Sequence, residues 1–124
     1  MRVTSRVDEN FLRRYREKAQ ENLVKTADAM KTDLVQSQTM PFDTGALQNN
    51  STFVNDSNKE RGIVTIISDT PYARRLYFHP EYNFQKGKNP NAGGQWFNTY
   101  ISGTKKDFAS KTFSRLMRRS NIWI

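Results

Sequence analysis

The segment that decides how this chain folds is Pro-Phe-Asp-Thr-Gly-Ala-Leu at positions 41–47. Proline at position 41 fixes φ, and glycine at position 45 adopts backbone conformations that other residues resist. The side chains of Asp43 and Thr44 can hydrogen-bond their own local backbone. We therefore expect a corner at which a helix ends and a strand begins at Ala46. The residues assigned to this corner are Pro41, Asp43, Thr44, Gly45 and Leu47.

A long amphipathic helix is predicted before the corner, over residues 8–38. Its apolar side chains recur at steps of three or four, which places them on one helix face. Asp8 is the candidate N-cap, and Glu9 suits the positive end of the helix dipole. Such a helix would reach about 45 Å, more than a small domain can cover, so part of its apolar face is expected to meet another subunit. That face consists of Phe11, Tyr15, Ala19, Leu23, Ala27, Met30 and Leu34.

A β-hairpin and a short helix are predicted after the corner. Residues 46–54 alternate as a first strand, residues 55–62 form a polar turn, and residues 63–67 are a β-branched second strand. We expect the second strand to be the more buried. Asp69-Thr70-Pro71 then opens a short helix, with Asp69 or Thr70 as its cap. Its core-facing side chains are predicted to be Tyr72, Leu76 and Tyr77.

The rest of the chain is predicted to hold a loop and a closing helix. Prolines and glycines interrupt any period over residues 79–95, which is typical of a flexible binding loop or a segment that orders on assembly. A strand or short helix begins at Gln95, the closing helix covers residues 104–119, and the apolar residues 122–124 are expected to dock. The predicted fold is α+β, a small antiparallel β-sheet flanked by a long N-terminal helix and a C-terminal helix, forming one domain over residues 1–124.

The composition narrows the classes of function. Apolar residues make up 35% of the chain, below the ~45–50% usual in globular domains. Cysteine is absent, and no apolar run suits a membrane span or a signal peptide, so we expect a soluble, intracellular protein with no membrane contact. The net charge is +8, and residues 81–124 carry eight basic and two acidic side chains. This excess predicts an anionic partner or an acidic neighbouring subunit, with a merely solvated helix face as the alternative.

An aspartic protease of the dimeric, retroviral type is one alternative, because Asp43-Thr44-Gly45 is the sequence that such an enzyme presents at its active site. That site lies at the end of an apolar strand, whereas Asp43 follows a predicted helix and a strand-breaking proline. The second apolar strand also ends at Ser68-Asp69, without the glycine that packs beneath such a site. His79 is the only histidine, and no other catalytic or phosphate-binding motif is present. We expect no enzymatic activity and no cofactor or metal.

A nonspecific DNA-binding module is the other alternative. Basic and aromatic side chains interleave around the predicted loop, a composition suited to stacking and phosphate contact. The aromatic residues are equally suited to be core partners of the helices, and no sequence-specific DNA-binding motif accompanies them. The candidate assembly or DNA contacts are Tyr82, Phe84, Lys86, Lys88, Trp96, Arg115, Arg118 and Arg119.

The order of these features resembles the minor capsid and tail-completion proteins of long-tailed bacteriophages. The resemblance covers nearly the whole chain, and its most specific parts are residues 44–47, 71–73 and 89–97. It implies a ring-forming neck component of the virion, assembled in the host cytoplasm, that joins the DNA-filled head to the tail without enzymatic activity. The implied partners are further copies of the chain and neighbouring connector or tail proteins, with nonspecific contact to packaged DNA as an addition. The basic end, Arg115 to Arg119, departs from the family, and we expect it to join subunits rather than to bind DNA.

Overall fold

The computed structural model describes residues 2–4, 6, 8–37, 40, 52–69, 73–79 and 93–120. Four helices and two strands lie in these ranges, and the predicted α+β fold is confirmed: a long N-terminal helix, a two-stranded antiparallel sheet and a C-terminal helix. The helices are α1 (Glu9–Gln36), α2 (Ala73–Tyr77), α3 (Asn98–Ile101) and α4 (Phe108–Arg119), and the strands are β1 (Thr52–Asn55) and β2 (Thr65–Ser68).

Helix α1 begins at the predicted cap and ends two residues before the predicted end at residue 38. The carboxylate of Asp8 accepts a hydrogen bond from the backbone N–H of Asn10 at 2.9 Å, which caps the first turn. The helix ends at Gln36, where the hydroxyl of Ser37 donates to the carbonyl of Leu34 at 2.6 Å. All seven residues of the predicted apolar face are buried or half-buried. The stripe is buried deepest in the C-terminal half of the helix, at Ala27 and Leu34.

The two strands of the hairpin pair antiparallel as predicted, but their burial differs from the prediction. Phe53 pairs with Ile67 and Val54 with Ile66, and a 3₁₀ turn at Lys59–Arg61 lies in the connection. Gly62 ends that turn with φ of 76°, a left-handed conformation that favours glycine. Over the described residues the second strand is not the more buried of the two, because one residue of β1 and none of β2 is buried; residues 46–51 of the predicted first strand lie outside the described ranges.

The buried residue of the hairpin is a threonine whose hydroxyl group pairs with that of a serine on the other strand. Thr52 in β1 is fully buried, whereas Ile63, just before β2, is 52% exposed. The Thr52 hydroxyl lies 2.9 Å from that of Ser68, which also accepts a hydrogen bond from the indole N–H of Trp96 at 3.3 Å. Because these bonds satisfy the hydroxyls, the threonine can be buried at little cost. The β-branched run reflects strand propensity rather than depth in the core.

The core lies where the end of α1 meets α2 and α3. Leu34, Met40 and Trp96 form its buried cluster. Leu76 and Tyr77 of α2 pack against this cluster as predicted, whereas Tyr72 lies outside the described ranges. Phe97 and Tyr100 also pack against the cluster. The segment after Gln95 forms the short helix α3, so the helical alternative predicted there is confirmed. This core fixes the position of α3 and of the turn that leads into α4.

Candidate functional site

Helix α4 divides sharply into a buried face and a basic face. Thr112 and Met117 are buried, and every exposed residue of the helix is serine, lysine or arginine. Lys111, Arg115 and Arg118 follow one another at steps of four and three, which places them on one side of the helix. We define the basic face of α4 by its four exposed cations, Lys111, Arg115, Arg118 and Arg119.

One end of α4 is held by a buried amide of α1. Asn22 is only 2% exposed. Its side-chain N–H₂ group donates to the hydroxyl of Ser120 at 3.0 Å and lies 3.1 Å from the sulfur of Met117. The Ser120 hydroxyl in turn donates to the carbonyl of Leu116 at 2.8 Å. A buried amide needs these partners, so they fix the register between the two helices.

The other end is held by a carboxylate of α1. One oxygen of Asp33 accepts hydrogen bonds from the hydroxyl of Tyr100 at 2.5 Å and from the ammonium group of Lys105 at 2.7 Å. The Lys105 ammonium also lies 5.7 Å from the centre of the Tyr100 ring. Asp33 thus ties α3 and the turn before α4 to α1. Since Asn22 meets Ser120 and Asp33 meets Lys105, α1 and α4 run antiparallel.

The electrostatics of this tie keep both groups in their present protonation states. Burial acts to raise the pKa of Asp33, but hydrogen bonds from Lys105 and Tyr100 and the charge of Lys105 outweigh it and lower the pKa. Burial raises the pKa of Tyr100, and so do its hydrogen bond to Asp33 and the negative charge of that carboxylate. The tyrosine therefore remains a hydrogen-bond donor and the aspartate an acceptor over the ordinary pH range.

Salt bridges neutralise part of the charge of α1, whereas none within the described residues involves the charges of α4. On α1, Glu21 forms salt bridges with Lys18 at 3.1 Å and with Lys25 at 2.9 Å, and the hydrogen bonds from Lys25 and Lys18 lower its pKa. Helix α4 contains no acidic residue, and none of the salt bridges in the described ranges involves its basic face. The basic face is thus a set of four cations on one helix without a salt-bridge partner in the described ranges.

Trp96 lies in the core rather than on a contact surface. Its side chain is 3% exposed, and its ring centre is 4.9 Å from that of Tyr77 in an edge-to-face arrangement. Phe97 and Tyr100 are half-buried beside it. This placement corrects the assignment of Trp96 as an assembly or DNA contact, because a buried indole ring offers no face for stacking. The alternative that these aromatic residues are core partners describes them correctly.

An open cleft of about 300 Å³ borders this aromatic cluster. Asp69, Tyr77, Phe78 and Phe97 are among the residues that line it. The Phe78 side chain is 61% exposed at its rim. The cleft contains one carboxylate among aromatic rings, and no constellation of catalytic groups accompanies it in the described ranges.

The remaining predicted site residues lie outside the described ranges. These are the corner residues Pro41, Asp43, Thr44, Gly45 and Leu47, and the loop residues Tyr82, Phe84, Lys86 and Lys88. Of the candidate contacts, Arg115, Arg118 and Arg119 are exposed as a contact requires.

Three features of the site were missed at the level of sequence. Lys111 belongs with Arg115 and Arg118, and its spacing from them could have shown this. The two ties, Asn22 with Ser120 and Asp33 with Lys105, join residues more than 70 positions apart and leave no local signal.

None of the described helices is both long and apolar enough to cross a membrane. In the same parts of the chain, no three histidine, cysteine, aspartate or glutamate side chains are grouped as metal ligands. Comparison with known protein families, curated proteins and solved structures finds no match to this chain.

Proposed function

We propose that this protein is a ring-forming structural subunit of the neck of a tailed bacteriophage, where it joins the DNA-filled head to the tail. The order of sequence features supports this, from the long first helix through the corner and the hairpin to the closing helix. The described helices and strands follow that order, with α1 first and α4 last. The function would be to build a contact surface rather than to carry out a reaction.

The observation that carries the proposal is the small share of apolar side chains buried within one chain. In the described ranges, six apolar residues are buried, two of them alanines. Large apolar side chains remain exposed on several elements, including Leu12 on α1 at 44% and Ile101 on α3 at 70%. A subunit that completes its burial against neighbours is expected to have such a surface.

The length of α1 supports the same conclusion. Its 28 residues extend for about 42 Å. The ties to α4 involve Asn22 and Asp33, both in the C-terminal two thirds of the helix. Towards its first turns, Leu12 is exposed and Phe11 and Tyr15 are only half-buried. This end of the helix offers an apolar surface to a neighbouring subunit.

A null mutant of the gene tests the proposal. Cells infected with the mutant should accumulate heads filled with DNA and separate tails, and wild-type protein supplied in trans should restore tailed particles. Purified wild-type particles should contain the chain in several copies. Normal tailed particles from the null mutant, or particles that lack the chain, would exclude the neck function.

A further inference from the structure

The exposed surface of α4 has the composition of a nucleic-acid contact. Its exposed residues are Ser110, Lys111, Ser114, Arg115, Arg118 and Arg119, without one apolar or acidic side chain among them. Stable protein–protein interfaces have an apolar centre from which charged residues are depleted. Protein–DNA interfaces are polar and strongly positive. The composition of this surface therefore favours a polyanion over another protein.

The spacing of the cations matches the spacing of phosphates. Lys111 and Arg118 are seven residues apart, which corresponds to about 10 Å along the helix axis. Each strand of duplex DNA carries one phosphate per about 3.4 Å of its axis, so the same length holds about three. Lys111, Arg115 and Arg118 supply three cations over that length, and the hydroxyl of Ser114 between them is a further phosphate donor.

The basic face is also presented by a helix held at both ends. Asn22 bonds Ser120 at the C-terminal end, and Asp33 bonds Lys105 before the N-terminal end. The four cations form none of the salt bridges in the described ranges, so no salt bridge within those ranges must be broken before they meet a ligand. Cations presented on a fixed helix bind with a smaller loss of entropy than cations on a flexible segment.

From these observations we infer that α4 binds the phosphate backbone of duplex DNA, without base specificity, through Lys111, Arg115 and Arg118. Arg119 lies at the edge of the contact. This reverses the expectation from sequence that the basic end mainly joins subunits, because the exposed surface of the helix contains no apolar centre for such a joint. The inference goes beyond the neck function and holds or fails independently of it.

Binding of the full-length protein to a fluorescent random-sequence duplex tests this inference. Three phosphate contacts predict a log–log salt slope of about −2.7, so affinity should fall about 40-fold between about 50 and about 200 mM salt. The variant Lys111→Gln/Arg115→Gln/Arg118→Gln should bind at least about tenfold more weakly at the lower salt concentration, with a slope near zero. Duplexes of different sequence should bind the wild type equally.

The matched control removes three exposed cations from α1, in the variant Arg13→Gln/Arg14→Gln/Arg16→Gln. Its net charge falls from +8 by the same three units. It should keep most of the wild-type affinity and salt slope. Equal losses in the two variants would show a general charge effect and overturn the inference, as would wild-type binding that does not depend on salt.

A protein partner is the other outcome that would overturn the inference. In that case the wild type would not bind the duplex, while the α4 variant would lose its binding to a neighbouring virion protein. The neck function is judged separately. DNA binding by a protein that is absent from virions would reject the neck function and leave this inference standing.

Discussion

Helices α1 and α4 pack antiparallel against each other, but they differ in charge: α1 contains both acidic and basic residues, and α4 contains only basic ones. Helix α1 contains six basic and five acidic residues, and some of these neutralise each other, as Glu21 does with Lys18 and Lys25. Helix α4 contains four basic residues and no acidic one. Salt bridges neutralise part of the charge of the first helix, whereas the second projects a positive field with no salt-bridge partner in the described ranges. The difference separates a scaffold helix from a contact helix.

The largest expected effect tests whether α1 is held by its apolar face rather than by its charges. Leu34 is 1% exposed in the core cluster. Leu34→Ala should lower the free energy of unfolding by about 2–5 kcal/mol, through lost burial and the cavity left behind. Chemical denaturation measures this. Glu21→Gln, which removes both exposed salt bridges, is the control and should leave the melting temperature almost unchanged. A larger loss from Glu21→Gln than from Leu34→Ala would contradict the comparison.

The next effect concerns the buried amide that sets the register of the two helices. Asn22→Ala removes a buried amide whose N–H₂ group contacts Ser120 and Met117, and it should cost about 1–3 kcal/mol. Ser120→Ala leaves the Asn22 amide in contact with the Met117 sulfur and should cost less, about 0.5–1.5 kcal/mol. Urea denaturation of the two variants would rank them. If Asn22→Ala were neutral, the position of α4 would be set by its apolar residues alone.

The hydrogen bond between Tyr100 and Asp33 makes the stability of the fold depend on pH. The pKa of Tyr100 is raised in the folded state, so its contribution is fully present below the ordinary tyrosine pKa of about 10 and is lost as pH rises beyond it. The pKa of Asp33 is lowered, so its contribution is present above about pH 4 and is lost as pH falls through the lowered value.

Tyr100→Phe tests the alkaline part of this dependence. It should cost about 1.5–3 kcal/mol at neutral pH, because a hydrogen bond to a charged group is lost. Its melting temperature should then decline less steeply than that of the wild type above about pH 10. Melting curves recorded from neutral to alkaline pH provide the measurement. Parallel declines in the two proteins would show that Tyr100 does not contribute to the alkaline loss.

The smallest expected effect is on the stability of the α4 variant. The variant Lys111→Gln/Arg115→Gln/Arg118→Gln should change the free energy of unfolding by no more than about 0.5 kcal/mol. A slight gain would be reasonable, because like charges four residues apart repel each other. A loss of several kcal/mol would show that the basic face is maintained for folding, and the contrast between the helices would fail.

Helices with a regular spacing of apolar residues could be predicted from the sequence. Burial that depends on contacts between residues far apart in the chain could not. Apolar residues at every third or fourth position and the cap at Asp8 predict helix α1. The alternation of apolar and basic residues predicts α4. The burial of Thr52 depends on Ser68 and Trp96, which are brought to it only by the tertiary fold. The depth of Trp96 was misjudged for the same reason, since its partner Tyr77 lies on another element. The corner at residues 41–47 stays a prediction.

A cryo-EM reconstruction of the neck in purified particles tests the central claim most directly. We predict a ring of this chain between head and tail. The basic face of α4 should be turned towards the DNA channel, with Lys111, Arg115 and Arg118 nearest to the DNA. The exposed apolar end of α1, including Leu12, should lie against a neighbouring subunit. A neck built without this chain would contradict the proposed function. A ring in which α4 faces away from the channel would contradict the role assigned to its charge.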